Sequence, residues 1–149
     1  MAAGEMKEHA VAPEPSRAAQ KPLATRIGRA GVEAAVHAFY TAVRRHAALG
    51  PVFGRVVDWD DHEARMALFW WTALGGRPYS SYCSTAVPRD AAVRIPAGLV
   101  GDWERLLHDA IRRELAPAPA DEWIARTGPV VAALRRMGEY YERHGPRRG

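Results

Sequence analysis

The chain has 149 residues, of which 48% are hydrophobic and 26% are charged, and its formal net charge is +4 at pH 7. This length and composition predict one domain with a packed core and exclude a largely disordered chain. A single cysteine excludes an internal disulfide framework and a zinc site built from several cysteines. No apolar run is long enough to cross a membrane, and residues 1–16 lack the apolar stretch of a secretory signal. We therefore expect a cytoplasmic protein.

The positive charge does not by itself indicate a nucleic-acid partner. Acidic residues are interleaved with the basic ones, as in Glu33 near Arg29 and Glu104 beside Arg105. This pattern is typical of solvated helix faces. Residues 143–148 form the one basic run, and no nucleic-acid-binding motif accompanies it. We expect neither a nucleic acid nor a membrane among the partners.

The N-terminal residues 1–27 are rich in alanine, proline and charge, which predicts a disordered tail before a domain over residues 28–144. A first helix is predicted over about residues 28–48, because apolar residues recur there at helical spacing. Gly50-Pro51 ends this helix, and a short apolar connector follows. The apolar stripe of the helix consists of Val32, Val36, Phe39, Tyr40 and Val43.

A second helix is predicted to begin near Asp58. Together with Asp60 and Asp61, this residue supplies a cap and favourable charge for a helix N-terminus. Apolar positions then recur with helical spacing until residues 75–78, Gly-Gly-Arg-Pro, end the helix. The stripe consists of His62, Met66, Phe69, Trp70, Ala73 and Leu74.

The following residues 77–97 carry no helical period, which predicts an irregular connection. A connection of this length inside a compact domain is typically functional or poorly ordered. A third helix is predicted over about residues 97–115, with a stripe that includes Trp103 and Leu107.

The C-terminal part is predicted to hold one further helical region. Residues 116–119, Ala-Pro-Ala-Pro, are interpreted as a stiff linker, and Asp121 as the cap of a helix that reaches about residue 143. Gly128-Pro129 should bend or break this helix. Residues 145–149 form a basic tail. The sequence therefore predicts an all-α domain with four substantial helices and no strand.

Periodicity separates one of the six histidines from the others. Only His62 lies on an apolar stripe, whereas His37 falls on the polar side of the first helix and His46 at its end. His108 is predicted to pair with Glu104 on the outside of the third helix. A core histidine at a helix start is one interpretation of His62. The other is an imidazole that faces a cavity as a metal ligand or a hydrogen-bond donor.

Four further side chains allow a structural and a functional interpretation. The Tyr40 hydroxyl needs a partner, which is either a backbone carbonyl or a bound ligand. Trp70 and Trp103 are interpreted as aromatic core or as indole N–H donors to a ligand. Cys83 is either an idle thiol or a thiolate ligand. The chain contains no His-x-x-x-His pair and no Ser/His/Asp or nucleotide motif.

Several of these residues stand in a recognisable order. The order is Phe39-Tyr40-x-x-Val43, Leu49-Gly50-Pro51-Val52-Phe53, Trp59-x-x-His62 with Phe69-Trp70, and Trp103. It resembles the group III truncated haemoglobins of bacteria over roughly residues 32–143. The resemblance implies a truncated globin fold, a two-over-two helical sandwich around a haem. It also implies a diatomic ligand such as O2 or NO, with a reductase as a candidate partner.

The resemblance implies a role for each matching residue. Tyr40 and His62 would be the distal tyrosine and the distal histidine. Trp103 would be the distal tryptophan that donates to the bound ligand. Phe53 would pack on the haem face, and Met66 and Trp70 would line the distal side.

The chain departs from the family at the proximal iron ligand. The family places a histidine between the second and third helices, but here none occurs between His62 and His108. The aligned position falls between Val87 and Arg89. Valine, proline and protonated arginine cannot ligate iron. Arg89 could instead fill proximal space, pair with an acid or clamp a haem propionate.

Three hypotheses follow from this departure. In the first, the chain binds haem through His62, or through Cys83 or Tyr82 on the other side, and handles a diatomic gas or peroxide. In the second, haem is lost and the chain is a small-molecule binding or protein-interaction module. In the third, the helical domain has no cofactor history. We favour haem binding with non-standard ligation and leave open whether the chain is an enzyme.

Overall fold

A computed structural model describes residues 21–80 and 94–145 of the chain. These residues form seven α-helices and no strand, which confirms the predicted all-α class. The helices are α1 (Leu23–Ile27), α2 (Arg29–Arg45), α3 (Leu49–Val52), α4 (Trp59–Ala73), α5 (Val100–Glu114), α6 (Pro117–Ala125) and α7 (Gly128–His144). A 3-10 turn, Ala97–Leu99, precedes α5. The four longest helices, α2, α4, α5 and α7, match the four substantial helices that the sequence predicts.

The start of α4 lies where the sequence predicts it. A side-chain oxygen of Asp58 accepts a hydrogen bond from the backbone N–H of Asp61 at 3.1 Å, so Asp58 is the cap. The carboxylates of Asp60 and Asp61 lie in the first turn, near the positive end of the helix dipole. After α4, Gly75 adopts a φ of 93°, a left-handed conformation that favours glycine.

The first helix ends earlier than predicted, at Arg45 instead of residue 48. The reason is local, because Nδ1 of His46 accepts the backbone N–H groups of Ala48 and Leu49 at 3.2 and 3.0 Å. These hydrogen bonds turn the chain into α3. The predicted apolar connector therefore begins as a short helix.

The predicted N-terminal tail is wrong for its last residues. Residues 23–27 form α1, and its Leu23 and Ala24 are buried in the core. Composition favours a tail here, but two apolar side chains suffice to dock one short helix. An ion pair of 2.7 Å between Arg26 and Glu122 also joins α1 to α6. Residues 1–20 and 146–149, which hold the rest of the two predicted tails, lie outside the described residues.

The predicted Ala-Pro-Ala-Pro linker is also wrong, because this segment begins α6. Pro117 occupies the first helical position and Pro119 lies in the first turn, where a backbone N–H has no partner within the helix. Asp121 therefore lies inside a helix and does not cap one. The predicted break at Gly128-Pro129 is confirmed, since α7 begins there.

The helix α2 lies at the centre of the described fold. It packs along α5 and against α4, while α7 packs on α5 and on the 3-10 turn, and α6 contacts α5 and α1. The core side of α2 is fully apolar or aromatic. In the described ranges, no helix combines the length and the hydrophobicity that a membrane crossing requires. The buried residues of α2 are Val32, Ala35, Val36, Phe39, Tyr40 and Val43.

Candidate functional site

The imidazole of His62 is buried, with 2% of the residue exposed. It lies in the first turns of α4 and contacts three aromatic rings. The centroid of the imidazole is 4.8 Å from Tyr40, 5.5 Å from Trp59 and 6.2 Å from Phe53. Each ring meets it at a steep angle, between 75° and 80°. We call Tyr40, Phe53, Trp59 and His62 the aromatic cluster.

Three elements bring the aromatic cluster together. Tyr40 points inward because it lies on the core stripe of α2. The short helix α3 delivers Phe53, whose backbone N–H donates to the carbonyl of Gly50 at 3.1 Å. The cap of α4 fixes the start of that helix, so Trp59 and His62, three residues apart, lie on one face.

Trp103 lies beside the aromatic cluster rather than within it. Its ring meets the edge of Phe39 at a centroid distance of 5.3 Å, and Phe39 contacts Tyr40 at 4.7 Å. Trp103 is buried, as is Trp70, which packs on α6. The structure thus brings Tyr40 and His62 into direct contact and places Trp103 one ring further away.

Met66 follows His62 by one turn of α4 and is half-buried. It belongs to a group of half-buried apolar side chains that pack against the core from several helices. Cys83, Tyr82 and Arg89, which the sequence suggests as ligands or haem contacts, lie outside the described residues. The half-buried group includes Met66 and Phe69 near the end of α4, Leu99 and Leu106 before and on α5, and Val130 and Leu134 on α7.

His108 does not pair with Glu104 in the way the sequence predicts. It is half-buried, and its Nε2 lies 2.9 Å from Oγ1 of Thr127. The Thr127 hydroxyl donates to the carbonyl of Ile124 at 2.7 Å, so the histidine N–H donates to the threonine oxygen. Burial lowers the pKa of His108; nearby Glu104 opposes this shift and Arg112 adds to it.

His37 is exposed, as predicted from the polar side of the first helix. Its Nδ1 lies 2.7 Å from Oε1 of Glu63, which joins α2 to α4 at the surface. Two open grooves of about 530 and 510 Å³ flank this histidine. Both grooves are lined mainly by charged and small side chains and by none from the aromatic cluster. They are typical of solvated helix faces.

The sequence does not predict the parts played by Trp59 and Trp123. Trp59 stands in the motif but receives no role of its own, although its ring contacts every other member of the aromatic cluster. Trp123 is fully buried and lies 5.7 Å from Trp70. The predicted helix after Asp121 includes Trp123 but assigns it no position on a buried face. A helical register from Ala120 through Trp123 to Thr127 would have shown a buried face.

Comparison with known proteins assigns no family, since no protein-family model and no curated protein matches the chain. Over residues 21–80 and 94–145, no group of three or more histidine, cysteine or acidic side chains is arranged to hold a metal ion. The candidate site is therefore defined by geometry alone. It consists of one imidazole enclosed by the rings of Tyr40, Phe53 and Trp59.

Proposed function

We propose that the chain is a truncated-globin-like protein that binds haem at the aromatic cluster, with a diatomic molecule such as O2 or NO as its small ligand. The observation that carries this proposal is the burial of His62 among three aromatic rings. Imidazole is a common ligand of haem iron.

The packing of the helices supports the same proposal. A two-over-two sandwich needs two helix pairs that cross each other. Here α2 packs against α4, α5 packs against α7, and the long contact between α2 and α5 joins the two pairs. The residues that resemble group III truncated haemoglobins come from four separate stretches of sequence. Four of them, Tyr40, Phe53, Trp59 and His62, meet at one point.

The described residues fit a haem group in their donor chemistry. The imidazole of His62 is the nitrogen donor, and Tyr40 beside it carries a hydroxyl. Half-buried apolar side chains on α4, α5 and α7 pack against the core and keep part of their surface exposed. Bound haem would supply an iron centre for a diatomic gas or for redox chemistry.

The chain's own residues would hold the iron and keep water away from its ligand. His62 would hold the iron, and Phe53 and Trp59 would exclude water from its imidazole. A low local dielectric strengthens every polar interaction in such a place. The Tyr40 hydroxyl would donate a hydrogen bond within the same enclosure. The indole N–H of Trp103, whose ring contacts Phe39, would be a second donor.

A second candidate is a globin-like module without haem, and one observation favours it. Tyr40, Phe53 and His62 pack directly on one another and are each at most 4% exposed. Protein side chains therefore fill the space around the imidazole. In this case the half-buried apolar group on α4, α5 and α7 would serve a small apolar ligand or a protein partner.

Titration of the purified protein with hemin, followed by the ultraviolet-visible spectrum, tests the proposal. We expect a sharp Soret band that saturates at one haem per chain. His62→Ala should shift or abolish this band, and His37→Ala is the matched control. His37 is an exposed imidazole at the junction of α2 and α4, and its loss should leave the spectrum unchanged. Cys83→Ser tests a thiolate ligand in the same way.

Two results would count against the proposal. Free-hemin absorbance after mixing would favour the module without haem. A saturable band that responds neither to His62→Ala nor to Cys83→Ser would exclude both ligands.

A further inference from the structure

One member of the aromatic cluster faces the solvent. Tyr40, Phe53 and His62 are buried, whereas Trp59 is half-buried. Its indole contacts all three other rings, at 5.5 Å from His62, 5.7 Å from Tyr40 and 6.3 Å from Phe53. Trp59 is therefore the member of the aromatic cluster that borders both the imidazole and the solvent.

Arg44 lies over the Trp59 ring. The central carbon of its guanidinium is 4.7 Å from the ring centroid, within the range of a cation–π contact. Arg44 is exposed and belongs to the last turn of α2, whereas Trp59 is the first residue of α4. The contact therefore ties the end of one helix to the start of another. Arg45, the next residue, lines the groove between α2 and α5 instead.

We infer that Trp59, held in place by Arg44, is the cover that controls the access of small molecules to His62. The Asp58 cap fixes the backbone at this point, so the cover moves by rotation of the indole about its side-chain bonds. As a control on ligand access the inference rests on the proposed function, but the cover itself is testable without haem.

Modification of histidine by diethyl pyrocarbonate tests the cover in the full chain at neutral pH, without added haem. The reagent attacks imidazole nitrogens that solvent reaches, and peptide mass spectrometry gives a rate for each histidine. In the unaltered protein, His62 should react much more slowly than His37, whose side chain is 74% exposed. His108, half-buried on α5 against Thr127, reports any general loosening of the domain.

Variants of the cover should change the rate at His62 selectively. Trp59→Ala should raise it towards the rate of His37, and Trp59→Phe should restore most of the protection. Arg44→Ala should raise it about two- to fivefold, the population change expected from losing an exposed cation–π contact. Arg44→Lys should keep the protection. Arg45→Ala is the matched control and should leave the rate unchanged.

Three outcomes would overturn the inference. The first is a rate at His62 equal to that at His37 in the unaltered protein. The second is an unchanged rate in a Trp59→Ala variant that keeps its helical circular dichroism. The third is a parallel rise in the modification rate of His108 in both the Trp59 and the Arg44 variants, which would show that these changes loosen the whole core. None of these readouts uses hemin, so failure of the cover and failure of haem binding are distinguishable.

Discussion

The two polar side chains buried in the described core, His62 and Thr127, have different surroundings. Thr127 donates to the carbonyl of Ile124 and accepts from His108, so hydrogen bonds offset the cost of its burial. His62 is enclosed by three aromatic rings from α2, α4 and the segment after α3. The enclosure of its imidazole by aromatic rings makes His62 a candidate for ligand chemistry.

His108 should make the stability of the domain depend on pH. Burial lowers its pKa below the ordinary value of 6.5, so the unfolded chain takes up the proton first as the pH falls. The contribution of the neutral imidazole to the stability of the domain is therefore complete above that pH and is lost as the pH falls through the lowered pKa of His108. His108→Gln keeps an N–H donor. On acidification, its free energy of unfolding should fall less than that of the unaltered protein. Urea denaturation between about pH 7.5 and 5.5 measures this difference.

His144→Gln is the control for that series. His144 is an exposed imidazole on the last turn of α7, where its Nδ1 lies 2.9 Å from the carbonyl of Tyr140. It serves as the reference for a variant that loses an exposed imidazole. A His108→Gln curve parallel to that of the unaltered protein would show that burial of the His108 imidazole contributes nothing to the acid sensitivity.

Side-chain direction was predictable for the residues that lie on a helical stripe. His62, Tyr40, Trp70 and Trp103 are all buried, because helical spacing alone decides which face they occupy. Their partners were not predictable. That Trp103 meets Phe39 while Tyr40 meets His62 depends on how the helices cross, which periodicity does not contain. His108 shows the same limit, since periodicity does not predict that Thr127, at the start of α7, lies beside it.

The long helices were predictable and the short ones were not. A helix of fifteen or more residues, such as α4, repeats its apolar spacing several times, and the Asp58 cap marks its start. The five-residue α1 and the nine-residue α6 repeat it once or twice, and prolines stand at or next to their starts. Proline in a first turn is compatible with a helix but resembles a linker in composition. The formation of α1 and α6 therefore depends on their tertiary contacts with α2 and α5.

The close contact of α7 with the chain before α5 requires a glycine on α7. At Gly138 an added Cβ would lie 2.7 Å from both the backbone nitrogen of Ala97 and the carbonyl oxygen of Ile95. Backbone atoms in a packed contact cannot move aside easily. Gly138→Ala should therefore lower the free energy of unfolding by about 1–3 kcal/mol, measured by urea denaturation.

Gly101→Ala is the matched control for this contact. Gly101 also lies in a helix, α5, but an added Cβ there meets nothing within 4 Å. This variant should be neutral or more stable by up to about 1 kcal/mol, because alanine lowers the entropy of the unfolded chain. Equal stability of the two variants would contradict the close approach of α7 to residues 95–97.

At the scale of the whole molecule, α1 belongs to the domain, so the domain boundary does not lie after it. The backbone N–H of Ala24 donates to the carbonyl of Leu74 at 3.1 Å, which attaches α1 to the end of α4. The ion pair of Arg26 with Glu122 attaches it to α6. This pair is exposed, and such pairs contribute little to stability. The burial of Leu23 must then supply most of what holds α1 in place.

Leu23→Ala tests this boundary directly. Leu23 is 1% exposed, so its truncation should lower the free energy of unfolding by about 2–5 kcal/mol, as large-to-small changes in a core do. Thr25→Ala, at an exposed position of the same short helix, should change it by no more than about 0.5 kcal/mol. If α1 belonged to a tail, both variants would fall within that smaller range. A large difference between them in urea denaturation would place residues 23–27 inside the cooperative unit that carries the aromatic cluster.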